Sequence, residues 1–587
     1  MTRVTPLASR LDQCIRQAIV AGLPPEAASA DPQIRPSDHA DYQVNGILAL
    51  ARPLRANPRQ LASAVADKLA DDDLIARYEI SGPGFINLSL ADSVIWQQVA
   101  LRRADPRLGI PATDTGSVTA IDYSQPNIAK EMHVGHLRST IIGDALVRVL
   151  EFDAVKVVRQ NHLGDWGTQF GMLIQYLFED LKDDLKPSQE ESGAEAISRL
   201  NLLYRAARQK FDSDPEFADR ARRRVVALQA GDPETVAGWE EIVAESKIYF
   251  NDVYARLGVL LTDEDAVGES FYNPFLHDVA SDLENRGIAV RSDGALCVFF
   301  DEILGPDGNP APLIVQKSDG GFGYAATDLA AMRYRVGTLH ANRVLYVVDA
   351  RQALHFRMVF ETARRAGYLP DDVQAVHVSF GSVLGPDGRP FKTRAGDVVR
   401  LISLLDEAVE RAKSTVAEKN PNLDDADLAR RAAEVGIGAI KYADLSTGRT
   451  RDYIFDIDRM VSLQGNTGVY LQYAHARIQS ILRKAPDGLP TAINTSLPLE
   501  PAERSLAILL DGLDETLAAV RENYEPNRLC GYLYSVAQAF SDFYEACPVL
   551  KAPTADVTAN RVALCQLAGN TLRLGLDLLG IAAPDRL

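Results

Sequence analysis

Apolar positions along this chain switch between two spacings, and the switches mark out its elements. Leu7 to Ala21 carries apolar residues at helical intervals. Asp41-Tyr42-Gln43-Val44-Asn45 opens an apolar stretch predicted to be helical through Ala51, and Asn57-Pro58-Arg59-Gln60 starts a further helix, Leu61 to Leu69. Tyr78 to Leu88 reads as a hairpin turning at Gly82-Pro83-Gly84. Val118 to Tyr123 reads as a strand, and beyond it Leu137, Ile141, Ile142, Leu146 and Val149 recur at helical spacing. Val155 to Val158 is a short β-branched strand that runs into the polar turn Gly164-Asp165-Trp166-Gly167. Ala194 to Gln209, Phe217 to Leu228 and Val236 to Leu257 are helical by periodicity. Strands return at Leu313 to Lys317 and Arg343 to Val348, with a helix from Leu329 to Arg335 between them. From Asp424 onward the pattern is helical throughout: Asp424 to Lys441, Val469 to Leu482, Arg504 to Arg521, Leu529 to Ala546 and Ala559 to Leu579.

These elements divide the chain into a small α+β N-terminal module (1–110) and an α/β region in two halves (111–178 and 301–400). Between the halves lies an insertion (179–300). A helical link (401–455) leads to an all-α module (456–587). A chain of 587 residues exceeds what one core holds, so several domains are expected. The hydrophobic fraction of 46% fits a globular protein, and no apolar run approaches the ~18 residues a membrane helix needs. The start, MTRVTPLASRLDQ, has no long apolar core of a signal peptide. Cys14, Cys297, Cys530, Cys547 and Cys565 are scattered without paired spacing, which predicts reduced thiols in a cytoplasmic protein and neither disulfides nor a bound metal. The net charge of −18 speaks against general nucleic-acid binding, because phosphate contacts require positive surface; any such partner must be met by local basic patches.

The candidate chemistry concentrates in residues 122–143, around His133-Val134-Gly135-His136. The two histidines sit at a strand-to-helix junction, in the first helical turn. Unpaired N–H groups and the helix dipole favour a phosphate there. Three residues apart, they project from one face, and both can donate hydrogen bonds to phosphate oxygens. Gly135 leaves the backbone open to a flat base or ribose. The expectation is an ATP site, aimed at charge building on the α-phosphate. A histidine metal pair and a plain surface pair are the alternatives that this spacing alone leaves open.

Pro126-Asn127-Ile128-Ala129-Lys130 followed by the HxGH resembles the signature of class I aminoacyl-tRNA synthetases, in the form found in the arginyl enzymes. Asn161 to Phe170 (NHLGDWGTQF), Asp349-Ala350-Arg351-Gln352 with His355-Phe356, and Val435 to Ser446 (VGIGAIKYADLS) resemble further motifs of that family, in the same order. The resemblance implies a Rossmann-type class I catalytic domain with a helical insertion. It also implies a tRNA-contacting N-terminal domain and a helical anticodon-binding domain. It implies that arginine is activated by ATP, with Mg²⁺ accompanying the nucleotide, and transferred to tRNA(Arg) by a monomeric enzyme.

Residue by residue, the resemblance places Pro126, Asn127, Lys130, His133, Gly135, His136 and His355 at ATP. It places Asp122, Asn127, His162, Tyr324, Asp328 and Gln352 at arginine. Asp328 is the guanidinium acceptor, and Asp122 stands where the family often has the longer Glu. The KMSKS loop of class I enzymes corresponds to Gly385 to Gly396, whose second lysine is missing. Lys392 and Arg394 remain candidates there, and Lys130 is expected to compensate. Tyr473, His475 and Arg477 have the chemistry to read unstacked bases, with helix packing as the alternative. The run Arg220, Arg222, Arg223, Arg224 is a solvated helix face or an acceptor-stem contact. Three rival classes remain: a small-molecule nucleotidyltransferase, a non-catalytic tRNA-binding relative, and a cysteinyl-type enzyme, which needs zinc-binding cysteines.

Overall fold

The computed structural model describes residues 4–37, 39–69, 73–180, 193–304, 308, 311–391, 399–419, 421 and 423–587. The N-terminal module holds α1 (Leu7–Gly22), β1 (Ile34–Pro36), β2 (Tyr42–Val44), α2 (Ile47–Leu50), α3 (Pro58–Ala66), β3 (Ile75–Ser81) and β4 (Phe85–Leu90). A long helix, α4 (Asp92–Ala104), leaves it. Its antiparallel sheet runs β1-β2-β4-β3. The stretch expected to be helical from Asp41 to Ala51 is instead strand β2 followed by one helical turn. Tyr42 and Val44 alternate into the core while Gln43 bonds Asn87 across the sheet, which is strand periodicity.

The α/β region begins with β5 (Val118–Asp122), α5 (Val134–Phe152), β6 (Lys156–Leu163) and α6 (Thr168–Asp180). The helices α7 (Gly193–Ser213), α8 (Pro215–Gln229) and α9 (Pro233–Leu257) then pack on α6 and on one another. Next come β7 (Ala266–Gly268), α10 (Glu269–Asn285), β8 (Val290–Ser292), β9 (Ala295–Val298), β10 (Leu313–Gln316), α11 (Tyr324–Gly337), β11 (Arg343–Tyr346), α12 (Ala353–Arg365), β12 (Gln374–His377) and β13 (Val383–Leu384). The central sheet is parallel throughout, in the order β12-β11-β5-β6-β7. Chain order therefore proceeds outward from β5 on one side and restarts at β11 on the other. The crevice outside the C-terminal ends of β5 and β11 is where such a sheet holds ligands. Strand β7 lies within residues 179–300, so the central sheet draws its edge from that stretch.

The remaining elements are α13 (Leu401–Lys419), α14 (Asp425–Leu445), β14 (Tyr453–Ile454), α15 (Ile457–Met460), α16 (Gly468–Arg483), α17 (Pro501–Asp511), α18 (Leu513–Asn523), α19 (Asn527–Ala546) and α20 (Ala555–Leu578). The single helix expected from Arg504 to Arg521 is two, broken at Gly512.

Two buried charge clusters join these parts. The first sits where the N-terminal module meets α17: Arg102 pairs with Asp511 at 2.5 Å, and Asp511 also accepts from the Leu7 amide and Gln98. The second ties α5 to α14. Arg138 of α5 pairs with Asp444 of α14 at 3.3 Å. Six residues on, Asp144 of α5 faces the buried Lys441 of α14, with the signs reversed. The Lys441 ammonium donates to the Leu257 carbonyl at the end of α9, while Asp144 accepts from the Leu260 amide. Burial pulls the Lys441 pKa down to about 8 and Asp144 resists it. Buried pairs of this kind add little net stability, but removing one partner strands the other.

Candidate functional site

The strand β5 ends at Asp122, and the eleven residues from there to His133 form an unusual loop. Ser124, Gln125 and Ala129 all adopt positive φ without being glycine. Strain of that kind persists only where its surroundings over-determine it. Here the surroundings are visible. The Gln125 amide bonds Asn161, the Ala129 amide bonds Ser246 of α9, and the Met132 amide bonds Tyr249 of α9. The Ile128 amide donates to the Gly164 carbonyl and the Gly164 amide to Pro126, which zips the Pro126–Lys130 segment to the turn after β6. A side chain at 164 would collide with the Asn127 Oδ1 at 2.3 Å, so glycine is required there. Buried Pro126 thus presents exposed Asn127 at the mouth of the crevice.

His133 is the N-cap of α5 and His136 its third residue, and they cap each other. His133 Nδ1 accepts the Gly135 amide, and His136 Nδ1 accepts the His133 amide, both at 3.0 Å. With each Nδ1 used as an acceptor, the hydrogen-bond network assigns the proton of a neutral ring to Nε2. Burial holds the His136 pKa down at about 3, helped by His133; burial and then Lys130 lower that of His133. The pair therefore stands at neutral pH as two uncharged Nε2–H donors, ring centroids 4.0 Å apart, on a helix N-terminus. A Cβ at Gly135 would press into the His133 ring at 2.7 Å, so the motif's glycine protects the cap as well as the approach. Lys130 lies beside the pair with its ammonium 5.0 Å from the Tyr204 ring of α7.

The segment expected as the second ATP loop is anchored at both described flanks. Phe391 stacks on Phe455 at 5.2 Å, and the Gly385–Arg389 turn closes through a 2.7 Å bond. On the far side the Val134 amide donates to Val399 and the Leu401 amide to Met132, so the chain returns beside His133. Lys392 and Arg394 lie outside the described residues.

On the other side of the crevice the geometry changes two expectations. Asp122 is buried, and both of its oxygens are taken: Oδ2 accepts from Arg335 and Oδ1 from Gln125, each at 2.6 Å. It holds an internal guanidinium instead of facing a substrate. Its shorter side chain suits that inward pairing, and Arg335, a buried cation over the Tyr346 ring, is the partner that sequence reading missed. His162 stacks on Tyr272 at 5.7 Å with Nδ1 4.0 Å from Asp122, beneath the crevice. Tyr324 opens α11 and is 75% exposed; Asp328 follows one turn later. His355 Nε2–H donates to Asp328 Oδ2 at 2.5 Å, which sets His355 on that carboxylate. Gln352 lies exposed in the turn after β11, where Asp349 pairs with Arg351. A second missed residue is Glu269, the first of α10. Burial, then Asp165 and Asp328, raise its pKa to about 8. The sequence offered only an acid at a helix start, a common N-terminal preference. A buried carboxyl whose pKa is raised in this way is a candidate to face a cationic ligand.

On α16, Tyr473 is exposed and Arg477 lies over the Tyr544 ring at 4.3 Å. His475 does not join them. Its ring is 0% exposed, bonded to the Pro584 carbonyl and Gln479, and serves helix packing. In the arginine run, Arg220 pairs with Glu179, Arg222 with Asp219, and Arg224 bonds Gln175 and Thr235.

Three family profiles cover the chain: "Arginyl tRNA synthetase N terminal domain" over residues 7–90, "tRNA synthetases class I (R), catalytic domain" over 102–457, and "DALR anticodon binding domain" over 471–587. The chain belongs to the class I arginyl-tRNA synthetases. An arginine–tRNA ligase of Frankia casuarinae is 61% identical over 591 aligned positions, spanning 100% of this chain and 99% of that one. Those of Streptomyces avermitilis and Escherichia coli are 56% and 47% identical, covering 100% and 98% of this chain and 100% and 99% of theirs. Among solved structures, the arginyl-tRNA synthetase of Plasmodium falciparum superimposes with a TM-score of 0.83 at 28% identity, over 100% of both chains. That of Thermus thermophilus gives 0.79 at 26% identity, over 99% of this chain and 100% of that one. As a class I synthetase the enzyme uses ATP, and the anticodon-binding domain makes tRNA its partner. No helix among the described residues is long and apolar enough to cross a membrane.

Proposed function

We propose that this arginine–tRNA ligase activates arginine at the β5/β11 crevice only when tRNA(Arg) is bound. The arginine carboxylate attacks the α-phosphorus of ATP in line, releasing pyrophosphate and leaving arginyl-adenylate. The terminal ribose hydroxyl of the tRNA then attacks the adenylate carbonyl, and AMP departs. No protein nucleophile takes part; positioning and charge stabilisation carry the chemistry. The observation that carries this reading is the reciprocal histidine cap. Two neutral Nε2–H donors on a helix N-terminus suit charge that grows on the α-phosphate in the transition state. Lys130, Lys392 and Arg394 supply positive charge from the loops on either side, with Pro126, Asn127 and Gly135 shaping the nucleotide's seat. Asp328, Glu269, Tyr324 and Gln352 face the guanidinium side, with Asn127 and His162 toward the amino-acid end. Mg²⁺ enters on the phosphates of ATP.

Tyr473 and Arg477 contribute to reading the anticodon, and the enzyme acts as a cytoplasmic monomer. The dependence on tRNA is tied to the second ATP loop, which lacks the second lysine of KMSKS. Arginine-dependent ATP–pyrophosphate exchange, run with and without tRNA(Arg), decides it. Exchange confined to the tRNA-containing reaction supports the proposal. Exchange at full rate without tRNA refutes the dependence and leaves the ligase activity intact. Mass by light scattering during the same work checks the monomer.

A further inference from the structure

We propose that His355 is a positioning residue for arginine recognition: its Nε2–H fixes one oxygen of Asp328 so that the other is presented to the incoming guanidinium. The proposal rests on the reading of Asp328 as the guanidinium acceptor.

Three observations converge on it. The first is the bond itself, 2.5 Å from His355 Nε2 to Asp328 Oδ2, between two side chains that are both largely shielded from solvent. A carboxylate at the second turn of a helix otherwise rotates freely about its χ angles, and a planar fork such as a guanidinium gains most from an acceptor already held in plane. Among the described residues only Oδ2 of Asp328 is bonded, so Oδ1 stays available.

The second is that His355 is itself held. It occupies the first turn of α12, edge-on to Phe356 at 5.4 Å. Phe356 is buried between Tyr346 of β11 at 4.8 Å and His377 of β12 at 4.9 Å. The ring that orients Asp328 is thus referenced to the central sheet. The third is the neighbouring Glu269, which senses Asp328 electrostatically. The charge on Asp328 is one of the influences, after burial and Asp165, that hold Glu269 protonated. A donor on one oxygen of Asp328 stabilises its ionised form beside that neighbour.

This assignment separates His355 from ATP. A ligand of the adenine or phosphates would affect the nucleotide's KM; a positioning residue for Asp328 affects only arginine. The test is steady-state aminoacylation by the full-length enzyme at saturating tRNA(Arg), varying arginine and ATP in turn. The variants are His355→Phe, which keeps the ring and removes its donors, and His355→Gln, whose amide restores a donor near the Nε2 position. Loss of a hydrogen bond to a charged acceptor predicts a KM for arginine raised roughly 10- to 100-fold in His355→Phe. The KM for ATP should be unchanged, and His355→Gln should recover most of the loss. A rise in the KM for ATP with arginine unaffected overturns the proposal, as does no change in either constant. Equal damage in both variants also overturns it, since packing alone would then account for the residue. Should His355→Phe not fold, His355→Leu serves as the donor-free variant. Asp328→Asn is measured alongside. If it leaves the KM for arginine untouched, the underlying reading of Asp328 falls and this proposal with it. If it raises that KM while His355→Phe does not, only the role of His355 falls.

Discussion

The two walls of the crevice are built on different principles. The α5 wall comes from one continuous stretch, Tyr123 to His136, whose parts hold one another: a reciprocal cap, a glycine shaped to a ring, and a loop pinned by amides to α9 and to the turn after β6. The opposite wall is assembled from α10, α11 and α12, separate elements that set Asp328 on His355 and bury Glu269 where its protonated form is favoured. The first wall is complete before anything binds. The second is finished by its ligand. The difference matches the chemistry: the α-phosphate wall must be preorganised for a transition state, whereas the other must distinguish one ground-state side chain from the rest.

That contrast sets expectations that variants can break. The largest effect belongs to His136→Leu, which removes one preorganised donor. The kcat for arginine activation should fall roughly 10²- to 10³-fold with the KM for arginine little changed. Should the KM for arginine move instead, the walls are not separable. Next, Asp328→Asn should act the other way round, raising the KM for arginine by roughly 30- to 1,000-fold, as expected for a buried charge partner, in the same exchange assay.

Glu269 sharpens the contrast through pH. Its folded pKa of about 8 lies above the ordinary 4.5, so the folded state holds its proton longer than the unfolded chain does. Its contribution to stability is therefore lost as pH rises from about 4.5 to about 8, and is level above that. Guanidinium binding favours the ionised form, so the KM for arginine should fall as pH rises through that same range. Glu269→Gln should flatten both the KM profile and the pH dependence of the melting temperature. A wild-type KM that is flat from pH 6 to about 9 would remove Glu269 from the site. The smallest effect is expected at Tyr204→Leu. Loss of one partly exposed cation–π contact to Lys130 predicts a two- to fivefold change in the KM for ATP, about 0.5–1 kcal/mol.

The same contrast explains what the sequence made legible. The α5 wall is local, so its spacing carried its meaning: a strand, a loop, and histidines three apart on a helix start. The parallel sheet, the helical end of the chain and the arginyl-type motifs were readable for the same reason. The other wall depends on which distant elements meet. Nothing near residue 269 announces that its carboxyl will face Asp328, and Asp122 matched a family position while its actual partner, Arg335, stands on a helix more than two hundred residues away. Tyr42 to Val44 was lost to a short apolar run that fits either spacing until a neighbouring strand decides it. His475 has base-reading chemistry and a helical position shared with Tyr473 and Arg477. Only the fold shows that it points inward, under the chain's final residues.

The paired charges between α5 and α14 bear on how freely this enzyme can be cut and recombined. A chimera that imports residues 401–587 from a relative must bring an acid at 444 to meet Arg138, or leave that charge stranded in the core, and a residue at 441 that fits beside Asp144, which Arg148 of α5 also pairs. A graft confined to residues 456–587 escapes that demand, yet still inherits one constraint from it. Gly580 takes φ +66°, and any side chain there would meet the Lys441 Nζ at 2.6 Å and Asp144 Oδ2 at 2.9 Å. The transplantable unit is therefore defined less by a linker than by a single glycine, Gly580, seven residues before Leu587, which a recombination library would have to hold fixed.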